Sequence, residues 1–220
     1  MLKRKAKPRP EKAVAPTNGG FGEDPEVAAL IRRVNEEDPA AFRELVERYK
    51  TQVAGLAFKM IGDYEDAKDI SQIVFVKAFL NLKRFDTKRK FSTWLLRITV
   101  NSTIDYWRRY RKHKYEALEE AADKADDLGR TPEAVFFKKV TDEKIRKALD
   151  VLNPMQRSVF ILRDMEGMDM ADVAKIVDMP QITVRWHLHK ARVRLRTELS
   201  RKIAPPVQIS KKHSSSKELE

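Results

Sequence analysis

The sequence predicts an all-α protein made of two small helical domains joined by a flexible acidic linker. Three observations lead there. Apolar residues recur at helical spacing through most of the chain, and no segment alternates apolar and polar residues between turn signals as a strand would. Capping residues of the Asp-Pro and Asn-Pro type stand just before the periodic runs. The charge is laid out in blocks rather than evenly. Lys88 to Lys114 carries nine bases against Asp105 alone, Glu116 to Asp127 carries six acids against Lys124, and a second basic block begins at Arg185. Two basic modules separated by an acidic strip fit a chain of 220 residues, which is enough for two small cores.

In order along the chain, residues 1–24 hold Lys, Pro and Gly with little to bury, and are expected to be a disordered basic tail. The first ordered domain is expected over 25–112. Asp38 caps a helix with Pro39 at its first position, and Phe42, Leu45, Val46, Tyr49 and Val53 follow at helical spacing until Gly62. Asp63 caps the next helix, whose acidic first turn (Glu65, Asp66) suits the helix dipole and whose buried stripe is Ala67, Ile70, Val74, Ala78 and Leu82. A loop, Lys83 to Lys90, leads to a long helix for which Ser92 is the expected cap and which runs to about Arg111. The linker covers 113–137, and Thr131-Pro132 restarts order.

The second domain is expected over 138–202, followed by a disordered tail over 203–220. Ile145, Ala148, Leu149 and Leu152 form one apolar face. Asn153-Pro154 opens a helix carrying Val159, Phe160 and Leu162 that stops at Gly167. Asp169 caps a short helix, Met170 to Val177, and Asp178-Met179-Pro180 makes the turn, because Asp tolerates the left-handed conformation. The last helix runs from Gln181 towards Arg201. A short helix, a three-residue turn and a longer basic helix make a helix-turn-helix. Ala174, Val184, Leu188, Ala191 and Leu195 form its seam. Trp186, His189 and Val193 then point away from the seam, flanked by Arg185, Lys190, Arg192 and Arg196. An outward basic and aromatic face is built for contact with a polyanion rather than for solvation alone.

Composition narrows the classes. Forty-five Lys and Arg against thirty-three Asp and Glu leave a net charge of +12, which favours nucleic acid as partner. With no cysteine, disulfides and thiolate metal sites are excluded. No apolar run reaches the length of a bilayer span and no signal-peptide core follows the basic start, so a cytoplasmic protein without membrane insertion is expected. His113, His187, His189 and His213 form no i, i+4 pair, and no Gly-rich phosphate loop is present. Neither catalytic residue nor metal site nor cofactor is expected.

The stretch from Asp66 to Lys112 resembles the polymerase-binding and promoter-opening region of bacterial sigma factors, in particular the extracytoplasmic-function (ECF) group. The matching residues are Asp66, Ala67, Asp69, Gln72 and Phe75, then Arg84-Phe85, Phe91, Trp94-Leu95, Ile98, Asn101, Asp105 and Arg108. The second domain resembles the same family's reader of the upstream element through Leu152-Asn153-Pro154, Gly167, Ala174, Thr183-Val184-Arg185 and Ala191-Arg192. Lys68 and Ile73 stand where the family usually has acids, Asp178 replaces a common glycine, and Trp186 and His187 replace smaller or basic residues.

The resemblance implies a specificity subunit, not an enzyme, whose partners are core RNA polymerase, promoter DNA and an anti-sigma factor. It places the polymerase contact on Asp66, Asp69, Gln72 and Phe75. It places −10 recognition and melting on Lys83, Phe85, Lys88, Lys90, Asn101, Tyr106, Arg108, Arg109 and Arg111, and −35 recognition on Gln181, Thr183, Arg185, Trp186, His189, Lys190, Arg192 and Arg196. Phe91 and Trp94 are read as structural. The acidic linker is open to two readings, a solvated spacer or a mimic of nucleic acid in a polymerase channel. The alternative function is a free-standing helix-turn-helix regulator that ignores core polymerase. The first domain discriminates, since such a regulator has no need of it.

Overall fold

A computed structural model describes residues 24–117 and 143–203, with side chains over 24–109 and 145–201. The expected N-terminal tail up to residue 23, all but the first residues of the linker, the first residues of the second domain (138–142) and the C-terminal tail from residue 204 lie outside these, as does Thr131-Pro132. Every regular element among the described residues is helical.

The first helix, α1 (Pro25–Asn35), is one the periodicity reading did not single out. It starts on the same device as its successor: Asp24 accepts from the Glu26 amide and Pro25 takes the first position. Val27, Leu30, Ile31 and Val34 form its buried face. Helix α2 (Pro39–Ile61) is capped by Asp38, which accepts from the Ala40 and Ala41 amides, and ends at Gly62 with φ +88°. That left-handed turn lets the Gly62 amide reach Phe58 O at 2.7 Å. Helix α3 (Tyr64–Asn81) begins at Asp63, whose carboxylate accepts from the Asp66 amide. The stripe Ala67, Ile70, Val74, Ala78, Leu82 is buried throughout.

Helix α4 (Phe91–Ala117) departs from expectation at both ends. Ser92 lies inside the helix; the Trp94 amide bonds to Lys90 O at 3.2 Å, so the chain enters the helix two residues earlier than a Ser92 cap allows. It also continues past Arg111 into the first residues assigned to the linker. Phe91 is the hub of an aromatic cluster, with Tyr49, Trp94 and Phe85 ring centroids at 5.2, 5.5 and 5.7 Å. These angled ring pairs add to the burial of an otherwise apolar core between α1, α2, α3 and α4.

The second body holds α5 (Glu143–Leu149), α6 (Pro154–Phe160), α7 (Met170–Val177) and α8 (Gln181–Ile203). Of the apolar face expected here, Ala148, Leu149 and Leu152 are buried but Ile145 is 45% exposed, no other element among the described residues covering that edge. Asn153 caps α6 by accepting from Gln156 N at 2.8 Å. After Phe160 the helix widens over Ile161–Met165, and the Glu166 amide reaches back five residues to Ile161 O. Asp169 precedes α7 but makes no side-chain cap bond. Instead, Arg163 Nη1 donates to Met168 O at 2.6 Å and ties the preceding loop down. Asp178 adopts φ +55°, ψ +50°, the left-handed turn expected of it.

The two bodies share a core. Leu56 and Met60 of α2 and Leu96, Val100 and Ile104 of α4 join the cluster built by α6, α7 and α8. Helix α4 therefore buries two faces, one in each body. The polar edge of this junction holds a Lys59–Glu166 ion pair, an Arg97–Asp178 ion pair, and Arg157 Nε donating to Lys59 O at 3.2 Å.

Candidate polymerase and nucleic-acid interfaces

Helix α8 is held by Val184, Leu188, Ala191 and Leu195, all buried. These four, at i, i+4, i+7 and i+11, fix the opposite face outward. Arg185, Trp186, His189, Lys190, Arg192 and Arg196 are exposed there, Gln181 is exposed at the helix start on the side facing α7, and Thr183 is half-buried at the edge. The structure thus brings together nearly the whole expected −35 set. Its members are not equivalent. Arg185 and Arg196 have no ion pair among the described residues, so their guanidiniums are available. Arg192 is held by Asp164 in a two-pronged pair, Nε to Oδ2 at 2.8 Å and Nη2 to Oδ1 at 2.7 Å, which raises its pKa. It braces α8 against the widened turn. Arg194 does similar work on the inner side, donating to the buried Gln156 Oε1 at 2.8 Å.

Two residues at this face were not identified from sequence. Ile182 is 71% exposed, one helical turn before Trp186 and in line with it. Arg163 joins Arg185, His189 and Arg192 around a cleft of about 270 Å³ floored by Met170 and Leu188. The signal for Ile182 was its position opposite the seam; Arg163 had none, because α8 approaches it only in the folded chain. The His187 and Trp186 rings meet nearly at right angles, centroids 4.9 Å apart, and burial lowers the His187 pKa.

In the first body, α3 presents Asp69, Gln72, Ile73, Val76 and Leu80 on one exposed face. Their spacing of three and four residues makes this a single stripe, polar at the N-terminal end and apolar beyond. Asp66 is half-exposed beside its start. Phe75 is not part of this face: it is half-buried and packs on the first core, so the expected contact set is split. Phe79 is exposed at the stripe's flank, its ring 4.9 Å from Phe42.

On α4, Asn101, Arg108 and Arg109 are exposed, with Arg108 Nη1 3.7 Å from Asp105. Lys83 and Lys88 are exposed in the preceding loop and Lys90 is half-buried. Asp86 shapes that loop by accepting from the Lys88 amide at 3.0 Å. Phe85 and Tyr106 are half-buried against the core, so each offers only part of its ring. The side chain of Arg111 lies outside the described residues. Trp94, Leu95 and Ile98 pack in the core, as their spacing suggested. What emerges is a basic loop and helix face with polar Asn101 between, able to attract a strand's phosphates and to hydrogen-bond a base edge.

Residues 45–113 match the family model for Sigma-70 region 2, and residues 142–195 match that for Sigma-70, region 4. The chain is 31% identical over 176 residues to the ECF RNA polymerase sigma factor SigW of Bacillus subtilis, covering 77% of this chain and 94% of that one. It is 32% identical over 172 residues to the ECF RNA polymerase sigma-E factor of Haemophilus influenzae, covering 74% and 90%. Among solved structures, CnrH in complex with the cytosolic domain of CnrY is similar with a TM-score of 0.59 at 23% identity, covering 80% of this chain and 98% of CnrH. The sigma factor RpoE of Bartonella quintana, in complex with the anti-sigma factor NepR, gives 0.51 at 22% identity, covering 72% and 96%. These two likenesses establish the fold.

Proposed function

Because this chain belongs to the ECF RNA polymerase sigma factors, we propose that it directs core RNA polymerase to specific promoters and starts transcription there. The α3 stripe docks on the polymerase, Asp69, Gln72 and the half-exposed Asp66 giving the polar end and Ile73, Val76 and Leu80 the apolar remainder. Phe75 supports that helix from inside. The Lys83–Lys112 segment takes the −10 element: Arg108, Arg109 and Arg111 hold phosphates, while Asn101 and the Lys83–Lys90 loop bind an extruded base. The exposed parts of the Phe85 and Tyr106 rings add apolar surface for the same strand. The Gln181–Arg196 segment of α8 enters the major groove at −35, with Arg185 near the N-terminal end, where such helices reach base edges.

The observation that carries this reading is that one chain displays three separate outward faces. Two are basic and suit DNA, and one is carboxylate-amide-apolar and suits protein. A regulator acting without polymerase would leave the α3 stripe, with Leu80 72% and Val76 59% exposed, unused in water. The protein is then a specificity subunit working in the cytoplasm, where the polymerase is, and the chemistry of RNA synthesis belongs to its partner. That CnrH and RpoE are each seen with a binding partner, named an anti-sigma factor for RpoE, supports control of this chain by a similar inhibitor.

The test is run-off transcription with purified core enzyme and genomic templates. Discrete promoter-dependent products, and co-elution of chain and core, are expected. Absence of both would overturn the proposal, and tight duplex binding without core association would favour a free-standing regulator.

A further inference from the structure

Directly opposite the buried seam of α8 runs a ridge that is apolar rather than basic. Ile182 is 71%, Trp186 54% and Val193 44% exposed, at i, i+4 and i+11, and no described residue covers them. The Trp186 indole has two neighbours on its own helix: the half-buried His187 ring lies nearly perpendicular to it at 4.9 Å, and Lys190 Nζ stands 5.8 Å from the ring centroid. Cations flank the ridge on both sides, Arg185 and Arg196 along one and Lys190 along the other, and no acid occurs between Asp178 and Glu198. A face with that surround is complementary to a polyanion. The occupant is therefore the duplex, which leaves open what in a major groove is apolar.

Only one group there answers well, the C5 methyl of thymine; every other major-groove edge presents donors or acceptors. Four residues of α-helix advance about 6 Å, and successive bases on a strand are about 3.4 Å apart. Ile182 and Trp186 thus reach positions one or two base steps apart. Resting on the −35 assignment above, we propose that Ile182 and Trp186 read two thymine methyl groups within the −35 element, so that this chain's upstream preference is set by methyl contacts beside the guanidinium of Arg185.

The experiment uses the full chain assembled with core RNA polymerase. Duplexes with about one helical turn of randomised base pairs upstream of a fixed −10 element are selected for binding, and each selected thymine is then replaced singly by deoxyuridine, which removes the methyl and nothing else. Two thymines no more than two steps apart are expected, each deoxyuridine weakening binding about fourfold, the value of one buried methylene. Ile182→Ala should erase the deoxyuridine effect at one position and Trp186→Ala at the other. Selection of an upstream sequence in which deoxyuridine is silent overturns the methyl reading and leaves the −35 assignment standing. Deoxyuridine effects that persist unchanged in both alanine variants also overturn it, since other residues would then touch the methyls. Failure to select any upstream sequence sinks the −35 assignment itself, and this inference with it.

Discussion

Arg157 provides the sharpest energetic test of how the two bodies are joined. Its side chain is 3% exposed. Nε donates to Lys59 O at 3.2 Å, Nη1 sits 3.2 Å from Asp150 Oδ1, and Nη2 has no partner among the described residues. Burial lowers the guanidinium's pKa; the Asp150 charge and hydrogen bond oppose that, and Arg146 adds to it. The returns are modest. Asp150 is 63% exposed, so water screens its attraction to about 0–1 kcal/mol. The bond to Lys59 O contributes roughly 1.5–3 kcal/mol as a charge-assisted contact. Against these stands a desolvation cost of several kcal/mol for a buried ion. Arg157→Met keeps most of the volume and removes the charge. It gains about 1–4 kcal/mol by analogy with other buried ions and loses about 1–3 kcal/mol by leaving the Lys59 carbonyl without this donor. The expected result lies between about 2 kcal/mol less and about 3 kcal/mol more stable than the parent, centred near no change, read from the urea midpoint by circular dichroism with the slope unchanged. Asp150→Asn should destabilise the parent and do nothing to the Met variant, a coupling that a double-mutant cycle isolates. A loss above about 2 kcal/mol in Arg157→Met would show that the guanidinium's bonds outweigh its desolvation and refute the ledger.

Leu188→Ala should cost about 2–5 kcal/mol through the cavity left in the seam, and a normal urea midpoint would remove Leu188 from the core. Asp178→Gly relieves a left-handed residue by roughly 1 kcal/mol but gives up an exposed ion pair with Arg97 of about 0–1 kcal/mol; stability should stay level or rise slightly, with weaker protection of the junction in hydrogen exchange. His187 has its pKa lowered by burial from 6.5, so the unfolded chain binds a proton more readily than the folded one. Its contribution to stability is therefore present above pH 6.5 and lost as the pH falls below it, and His187→Gln should flatten that part of a stability–pH profile. Arg185→Ala should weaken binding by about 1–3 kcal/mol and relax preference at one base pair, as read from competition with single-base variants.

Much of this molecule is local in origin and so was visible in the sequence. Asp38, Asp63 and Asn153 cap helices through bonds to amides two or three residues away, and such contacts depend on nothing else in the chain. Asp178 takes the left-handed turn for an equally local reason. Periodicity also gave the stripes of α3 and α8, since residues three and four apart share a face wherever the helix sits. Helix α1 was legible by the same logic in Asp24-Pro25, but a single short apolar run beside a basic tail offered little contrast.

The tertiary structure decided which faces have partners. Periodicity could not say that α4 carries a second buried face, because Leu96, Val100 and Ile104 are covered by a body that begins only at Glu143. Nor could it separate Phe75, turned into the core, from Asp69 and Gln72 on the open face of the same helix. Arg185 and Arg192 look alike in the sequence; only the approach of the Asp164 carboxylate commits one and leaves the other free. A side chain's direction follows from its own helix, whereas its neighbours come from segments distant in the chain, and burial and pairing are properties of neighbours.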